Sequence, residues 1–243
     1  MLKRIWKKVS GNYKGNSDMS DTHIHVDQMA AKKFKDGMRR RMATINSEFR
    51  HTFKFLEHYP KSVTFFGSAR FLEDHPDYVR ARNLAKKVVN ETGYTVITGG
   101  GPGIMEAGNR GAYEAGGKSI GMNIVLPHEQ KVNEYLTANI RFYYFFIRKV
   151  ALSFSAEVYV FFPGGYGTLD EFYEMLTLVQ TKKIPPTPII CIGRDFWKRV
   201  MDVTLAMRDE YQTISPGDER LFNIVDTDEE VIEIIKKTPI KKL

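Results

Sequence analysis

Two spacings of apolar residues divide this chain. Over residues 38–59, Met42, Ile45, Phe49, Phe53 and Leu56 recur every three or four positions, which predicts an amphipathic helix stopped by Pro60. From Lys61 onward, short apolar runs alternate with amphipathic stretches. The runs predict strands at 62–66, 94–98, 119–123, 157–162 and 188–192, with a weak one at 222–225. The stretches between them predict helices at 76–92, 104–115, 144–155, 168–181, 195–209 and 227–237. Near-continuous Val, Ile and Phe suit strands covered by helices on both faces. The alternation therefore predicts one α/β domain over 60–243, built on a doubly wound parallel sheet.

Residues 1–37 show no sustained apolar period and include Gly11, Gly15, Ser17 and Ser20, so they read as a flexible arm. Charge sharpens that division. The chain carries a net +7, and residues 1–41 alone hold eleven Lys/Arg against four Asp. The whole excess therefore sits at the N-terminal end, and the body is neutral. A basic isoelectric point then gives no reason to expect nucleic acid on the domain itself. The tail is read as a solvated basic arm.

Other classes fall away on simple grounds. No apolar run approaches the eighteen residues of a membrane span, and the basic N-terminus lacks the apolar stretch of a secretory signal. Cys191 is the single cysteine, so no internal disulfide or thiolate cluster is available, and a reducing cytoplasm is the expected compartment. The pair His23 and His25 lies in the arm without cysteine or carboxylate partners at ligand spacing. No metal is expected.

Two glycine-rich turns follow predicted strands and open predicted helices: 99–103 (GGGPG) and 163–168 (PGGYGT). Such a turn presents free backbone N–H groups and the positive end of a helix, where phosphate binds readily. Each turn alone is equally well explained as a tight bend needing positive φ. Two in one sheet favour a phosphorylated ligand. The dinucleotide fingerprint fails in both, because Glu106 and Asp170 stand where the third glycine belongs. The strand after the first turn runs Gly121-Met122-Asn123, without an acidic residue to grip a ribose. Gly117-Lys118-Ser119 imitates a P-loop, but Ala112 occupies the first glycine position and the segment enters a strand instead of leaving one.

Thr168 and Glu171 have the spacing of a capping box, with Thr168 as the helix cap and Glu171 reaching back to it. Capping accounts for both residue types. It does not account for a carboxylate one turn from a bound phosphate, which it would repel unless it takes part in the chemistry. Both readings stand at this level. Arg148-Lys149 lies on an aromatic-rich helix, either as a solvated stripe or as a fixed cation near that carboxylate.

The segments 99–112 (GGGPGIMEAGNRGA) and 163–171 (PGGYGTLDE), with Arg148-Lys149 fifteen residues before Pro163, closely resemble the signatures of the Lonely Guy (LOG) family, often labelled lysine decarboxylases. The resemblance covers about residues 60–210. It implies a Rossmann-like fold and a homodimer or larger homo-oligomer that uses no cofactor. It also implies hydrolysis of a nucleoside 5′-monophosphate, such as AMP or a cytokinin riboside monophosphate, to free base and ribose 5-phosphate. Carried over by position, Gly164, Gly165, Gly167 and Thr168 hold the phosphate, and Arg148 and Glu171 form the catalytic pair. Lys149, Glu129 and Thr177 fall near substrate-contact positions, and Gly67-Ser68 lines the nucleotide cleft. The stretch from Leu126 to Asn139 departs from the plant members, which leaves the base undefined.

The chemistry fits these residue types. Breaking an N-glycosidic bond develops positive charge on the ribose, as in O-glycoside cleavage. A fixed carboxylate stabilises that charge and directs the attacking water. Arginine holds its proton, so Arg148 is assigned to positioning. Nothing singles out a lysine for a pyridoxal Schiff base. The competing class is a non-catalytic nucleotide or molybdenum-cofactor carrier, which the same fold and loops also suit. A carrier has no use for the charged pair.

Overall fold

The computed structural model describes the backbone of residues 21–125 and 132–240, and the side chains from Lys33 onward outside 126–131. The chain divides into two units, Met1–Asn46 and Ser47–Leu243.

The first unit is helical where described. Helix α1, Asp21–Leu56, begins well inside the stretch read as an arm and continues into the second unit. The sequence expectation rested on the missing apolar stripe, which bears on packing and not on backbone conformation. Ala30, Ala31, Lys32, Lys33 and Lys35 are good helix formers, and no proline interrupts them. Phe34, Met38 and Met42 are exposed. Residues 1–20 lie outside the described residues, as do the side chains of His23 and His25.

The second unit is the α/β domain. Its elements in order are β1 Ser62–Phe66, α2 Pro76–Thr92, β2 Thr95–Thr98, α3 Ile104–Glu114, β3 Ser119–Ile124, β4 Ala138–Phe142 and α4 Phe145–Phe154. They continue with β5 Val158–Phe161, α5 Tyr166–Gln180, β6 Ile189–Ile192, α6 Arg194–Asp209, β7 Asn223–Val225 and α7 Asp228–Lys237. All strand pairs are parallel, in the order β4-β3-β2-β1-β5-β6-β7. The predicted doubly wound Rossmann-like sheet is present.

Local signals set several boundaries. The His75 side chain caps α2, Pro76 opens it, and Gly93 closes it at φ 68°. Thr227 and Glu230 form a reciprocal capping box on α7. Strand β4 was not expected. Among the described residues it lies at the sheet edge, paired with β3, and of its own five residues only Phe142 is fully buried, so it lacks a continuous apolar run.

One face of the sheet packs Val63, Phe65, Val96, Val158, Val160 and Ile190 against α2 and α7. Opposite, Phe161 and Phe172 meet edge to face at 5.5 Å, and Phe172 packs on Trp197 at 4.8 Å. Both faces are therefore covered, and only the strand ends are left for chemistry. Strand order reverses between β1 and β5. The crevice outside the carboxyl ends of two such strands is where open α/β sheets bind ligands.

Candidate active site

The loops at that reversal are cross-braced by Ser68, just after β1. Its N–H donates to Pro163 O at 3.0 Å, and its carbonyl accepts from Ile104 N at 3.0 Å. The turns after β2 and β5 are thus tied through one residue. Close approach explains the glycines beside it. A Cβ on Gly67 would stand 2.7 Å from Ile104, and one on Gly103 would stand 2.3 Å from Ser68 O. Gly103 also has φ 69°, which favours glycine.

The turn after β5 enters α5 two residues earlier than predicted. Gly165 is the cap residue and makes no side-chain capping bond, so the Thr168–Glu171 capping box is not formed. Thr168 lies within the first turn instead, buried, with its Oγ1 2.2 Å from where a Gly164 Cβ would be. Leu169 N donates to Gly165 O at 3.0 Å, which closes the first helical turn. The N–H groups of Tyr166, Gly167 and Thr168 precede that bond and belong to the turn that α-helices leave without intrahelical acceptors. At Gly165 and Gly167 a Cβ would meet nothing within 4 Å. The protein does not fill the space over this turn.

Glu171 is therefore free of capping, and the structure brings it to Arg148. Arg148 Nη1 and Glu171 Oε1 are 3.5 Å apart, with the two side chains 11% and 14% exposed. Nε of Arg148 donates to Met122 O at 2.7 Å, at the end of β3. Its Nη2 rests over the turn after β2, where a Cβ on Gly99 would be only 2.3 Å away. The guanidinium is held on three sides. Burial pushes the Glu171 carboxyl up to about 7, only partly opposed by Arg148 and Lys149. Burial also lowers Arg148 below the usual arginine value, against the pull of Glu171. A buried carboxylate poised near neutrality beside a fixed cation is an arrangement suited to moving or stabilising charge.

Helix α1 helps to position this cation. The Glu48 carboxylate accepts from Tyr143 N at 2.7 Å and Tyr144 N at 3.3 Å, at the N-terminal end of α4. Phe53 packs edge-on against Phe154 of the same helix at 6.0 Å. Sequence reasoning assigned α1 no part in the site. A buried polar network fixes the turn after β2: Asn109 Oδ1 accepts from Thr98 Oγ1 at 2.5 Å and from Asn133 Nδ2 at 2.9 Å, and Asn133 N–H donates to Gly100 O at 3.0 Å.

The remaining candidates are placed differently. Lys149 does not join the pair: its Nζ bridges Asp170 at 2.8 Å and Glu174 at 3.2 Å. Burial opposes its charge, but the two carboxylates outweigh that and raise it above the usual lysine value. Thr177 is exposed and donates to Tyr173 O at 2.7 Å. With Asp170, Tyr173, Glu174 and Leu178 it lines an open cleft of about 430 Å³ along α5. Glu129 lies outside the described residues. Among the described residues, no helix is long and apolar enough to cross a membrane, and no cluster of His, Cys, Asp and Glu could hold a metal ion.

The family described as possible lysine decarboxylase matches residues 105–235. A probable cytokinin riboside 5′-monophosphate phosphoribohydrolase of Oryza sativa subsp. japonica is 33% identical over 107 residues. That match covers 43% of this chain and 43% of the relative, so the chain spans less than half of the length of this curated relative. Among solved structures, the structural-genomics target TM1055 superposes with a TM-score of 0.52 at 26% identity, covering 73% of this chain and 99% of that one. The molybdenum cofactor binding protein of Rippkaea orientalis gives 0.53 at 23% identity, over 72% of this chain and 93% of its own. The molybdenum cofactor carrier protein of Chlamydomonas reinhardtii gives 0.52 at 22% identity, over 73% and 97%. The last two share the fold. With more than half of its length matched, the chain belongs to the possible lysine decarboxylase family, which is the Lonely Guy family.

Proposed function

We propose that this protein hydrolyses the N-glycosidic bond of a nucleoside 5′-monophosphate, AMP or a cytokinin riboside monophosphate, to free base and ribose 5-phosphate. The observation that carries this reading is the buried Arg148–Glu171 pair, 3.5 Å apart, one helical turn from the open glycine turn at the strand reversal. The phosphate sits over Gly164, Gly165, Gly167 and Thr168, against the N–H groups of the first turn of α5. That anchor fixes the ribose relative to the pair and so lowers the entropic part of the barrier. Glu171, as carboxylate, stabilises the positive charge developing on the ribose and takes a proton from the attacking water as its oxygen bonds to C1′. The electrons of the broken C–N bond leave with the base, which takes up a proton from solvent to become the free base, while Glu171 releases the proton it took from water. Arg148 orients Glu171 and the substrate without giving up a proton.

The relative's name supports the substrate class, and no part of this scheme calls for a metal or organic cofactor. We place the protein in the cytoplasm on the strength of its lone buried Cys191. We also propose a homodimer, since Tyr143, Phe145 and Phe146 stand exposed together at the start of α4. The deciding experiment is incubation of pure protein with AMP, followed by assay for adenine and ribose 5-phosphate. Stoichiometric appearance of both supports the reading. Tight AMP binding with no release of adenine, from AMP or from a cytokinin riboside monophosphate, overturns it in favour of a carrier.

A further inference from the structure

Asn123, near the end of β3, is a buried polar side chain that the scheme above leaves unused. It is 7% exposed, and its Oδ1 has no hydrogen-bond partner. An orphaned buried acceptor is costly, because the group has given up its bond to water without regaining one. Buried polar groups are normally paired, so one left unpaired at a strand end beside a catalytic pair points to a ligand. Its surroundings are shaped around it. The carboxamide lies against the turn after β2, where a Cβ on Gly100 would stand 2.5 Å from Nδ2 and 2.7 Å from Oδ1. Gly121, two residues back on β3, would bring a Cβ to 3.0 Å from Oδ1. Both neighbours are glycine, and the amide fills the room they leave. The preceding residue, Met122, supplies the carbonyl that holds Arg148.

Strand order says which part of a nucleotide would reach this amide. Along the carboxyl edge the phosphate turn follows β5, the Ser68 brace follows β1, Gly99 with the Arg148 guanidinium follows β2, and Asn123 stands one residue before the end of β3. From β5 to β3 is three strand spacings, on the order of 14 Å. That span is comparable with an extended nucleoside monophosphate. With the phosphate at one end and the glycosidic bond at Arg148 and Glu171, the group left for Asn123 is the base. A carboxamide is the side chain that pairs with the 6-amino and N7 edge of adenine, accepting from the amine and donating to N7.

We infer that Asn123 is a specificity-determining residue that reads a 6-aminopurine base. The inference rests on the glycosidase reading and adds the base to it. Wild-type protein would favour AMP over the 5′-monophosphates of inosine and unsubstituted purine riboside. Asn123→Leu keeps the side-chain size and removes the orphaned polar atoms, so its melting temperature should hold or rise. Its kcat/KM for AMP should fall about 10- to 100-fold, and its preference for AMP over the two analogues should collapse. Inhibition by ribose 5-phosphate, which lacks a base, should not change.

Equal loss on all three nucleotides together with weaker ribose 5-phosphate binding would overturn the inference, because it would reveal a merely structural role. Unchanged AMP preference in active Asn123→Leu protein would overturn it as well. If wild-type protein cleaves no nucleotide, the glycosidase reading fails separately. The base inference is then decided by calorimetric affinities of AMP and inosine monophosphate for wild-type protein and Asn123→Leu. It stands if the wild-type preference for AMP is lost in the variant and falls if the two proteins bind alike.

Discussion

Neutralising Glu171 tests the proposed chemistry and the electrostatics of the site together. Burial holds its carboxyl at about 7, against an ordinary 4.5. That difference corresponds to about 3 kcal/mol of native-state cost for the charged form. Below pH 4.5 the group is protonated in the folded and unfolded states alike, and it contributes its full share to stability. As pH rises from 4.5 towards 7 the unfolded chain releases the proton first, so this contribution falls, and above 7 it is lost. Glu171→Gln keeps the shape and lacks the titration. The stability of the wild type relative to the variant, from denaturant melts, should therefore decline by about 2–3 kcal/mol between pH 5 and 8.

Activity should run the opposite way, because the carboxylate is the working form. Wild-type kcat/KM should rise with pH to a plateau, with a midpoint near 7. The variant should show a flat profile and turnover lower by roughly 10²–10⁴. Since no capping box involves Glu171, a folding defect should not obscure the result. Near-wild-type turnover in the variant would refute the catalytic assignment. Parallel stability profiles for the two proteins would refute the buried, raised carboxyl.

Two further outcomes follow from the same geometry. Arg148→Ala should lower kcat while leaving ribose 5-phosphate inhibition intact, and combining it with Glu171→Gln should cost little more than the worse single change, as for groups acting as one unit; steady-state kinetics on the set would expose additive losses if the two act independently. Gly99→Ala places a methyl 2.3 Å from Arg148 Nη2 and 2.6 Å from Met105 Sδ, both at the ends of flexible side chains, so the fold should survive while the guanidinium is displaced; kcat should then fall by up to about 10² at nearly constant melting temperature, and unchanged kcat would show that the position of Arg148 is not critical.

Most of the sheet and its helices could be read from local pattern. His75-Pro76 and Gly93 bound α2 by capping chemistry that the sequence spells out, and the apolar runs of β1, β5 and β6 are buried on both faces. Reading failed where the deciding contact is distant or the signal is weak. Strand β4 is an edge strand with two of its five residues exposed. Helix α1 extends through polar sequence that has no packing stripe. Thr168 and Glu171 have the spacing of a cap, but the glycines before them let the helix start two residues sooner. The residues alone left the meeting of Arg148 with Glu171 as one of two open readings, and only the family resemblance favoured it, because residues 23 positions apart on two helices carry no local mark of contact. Asn123 and Glu48 were passed over. An asparagine among the apolar residues near the end of β3 was the available signal for the first, and the second carried none.

The seam between β1 and β5 bears on how the protein is made. It joins Val63–Phe66 to Val158–Phe161, and Ser62 N donates to Glu157 Oε2, 95 positions along the chain. The ladder from β1 through β2 to β3 can zip up from nearby sequence as the chain leaves the ribosome. The seam cannot, because its second strand is synthesised roughly a hundred residues later, and long-range parallel pairing is slow. During that interval Val63 and Phe65, fully buried in the finished sheet, lack their neighbours on β5. The crevice between the strands is thus among the last features to form. Nascent chains stalled before residue 158 would expose this edge to aggregation and to chaperones, and no ligand could stabilise them there.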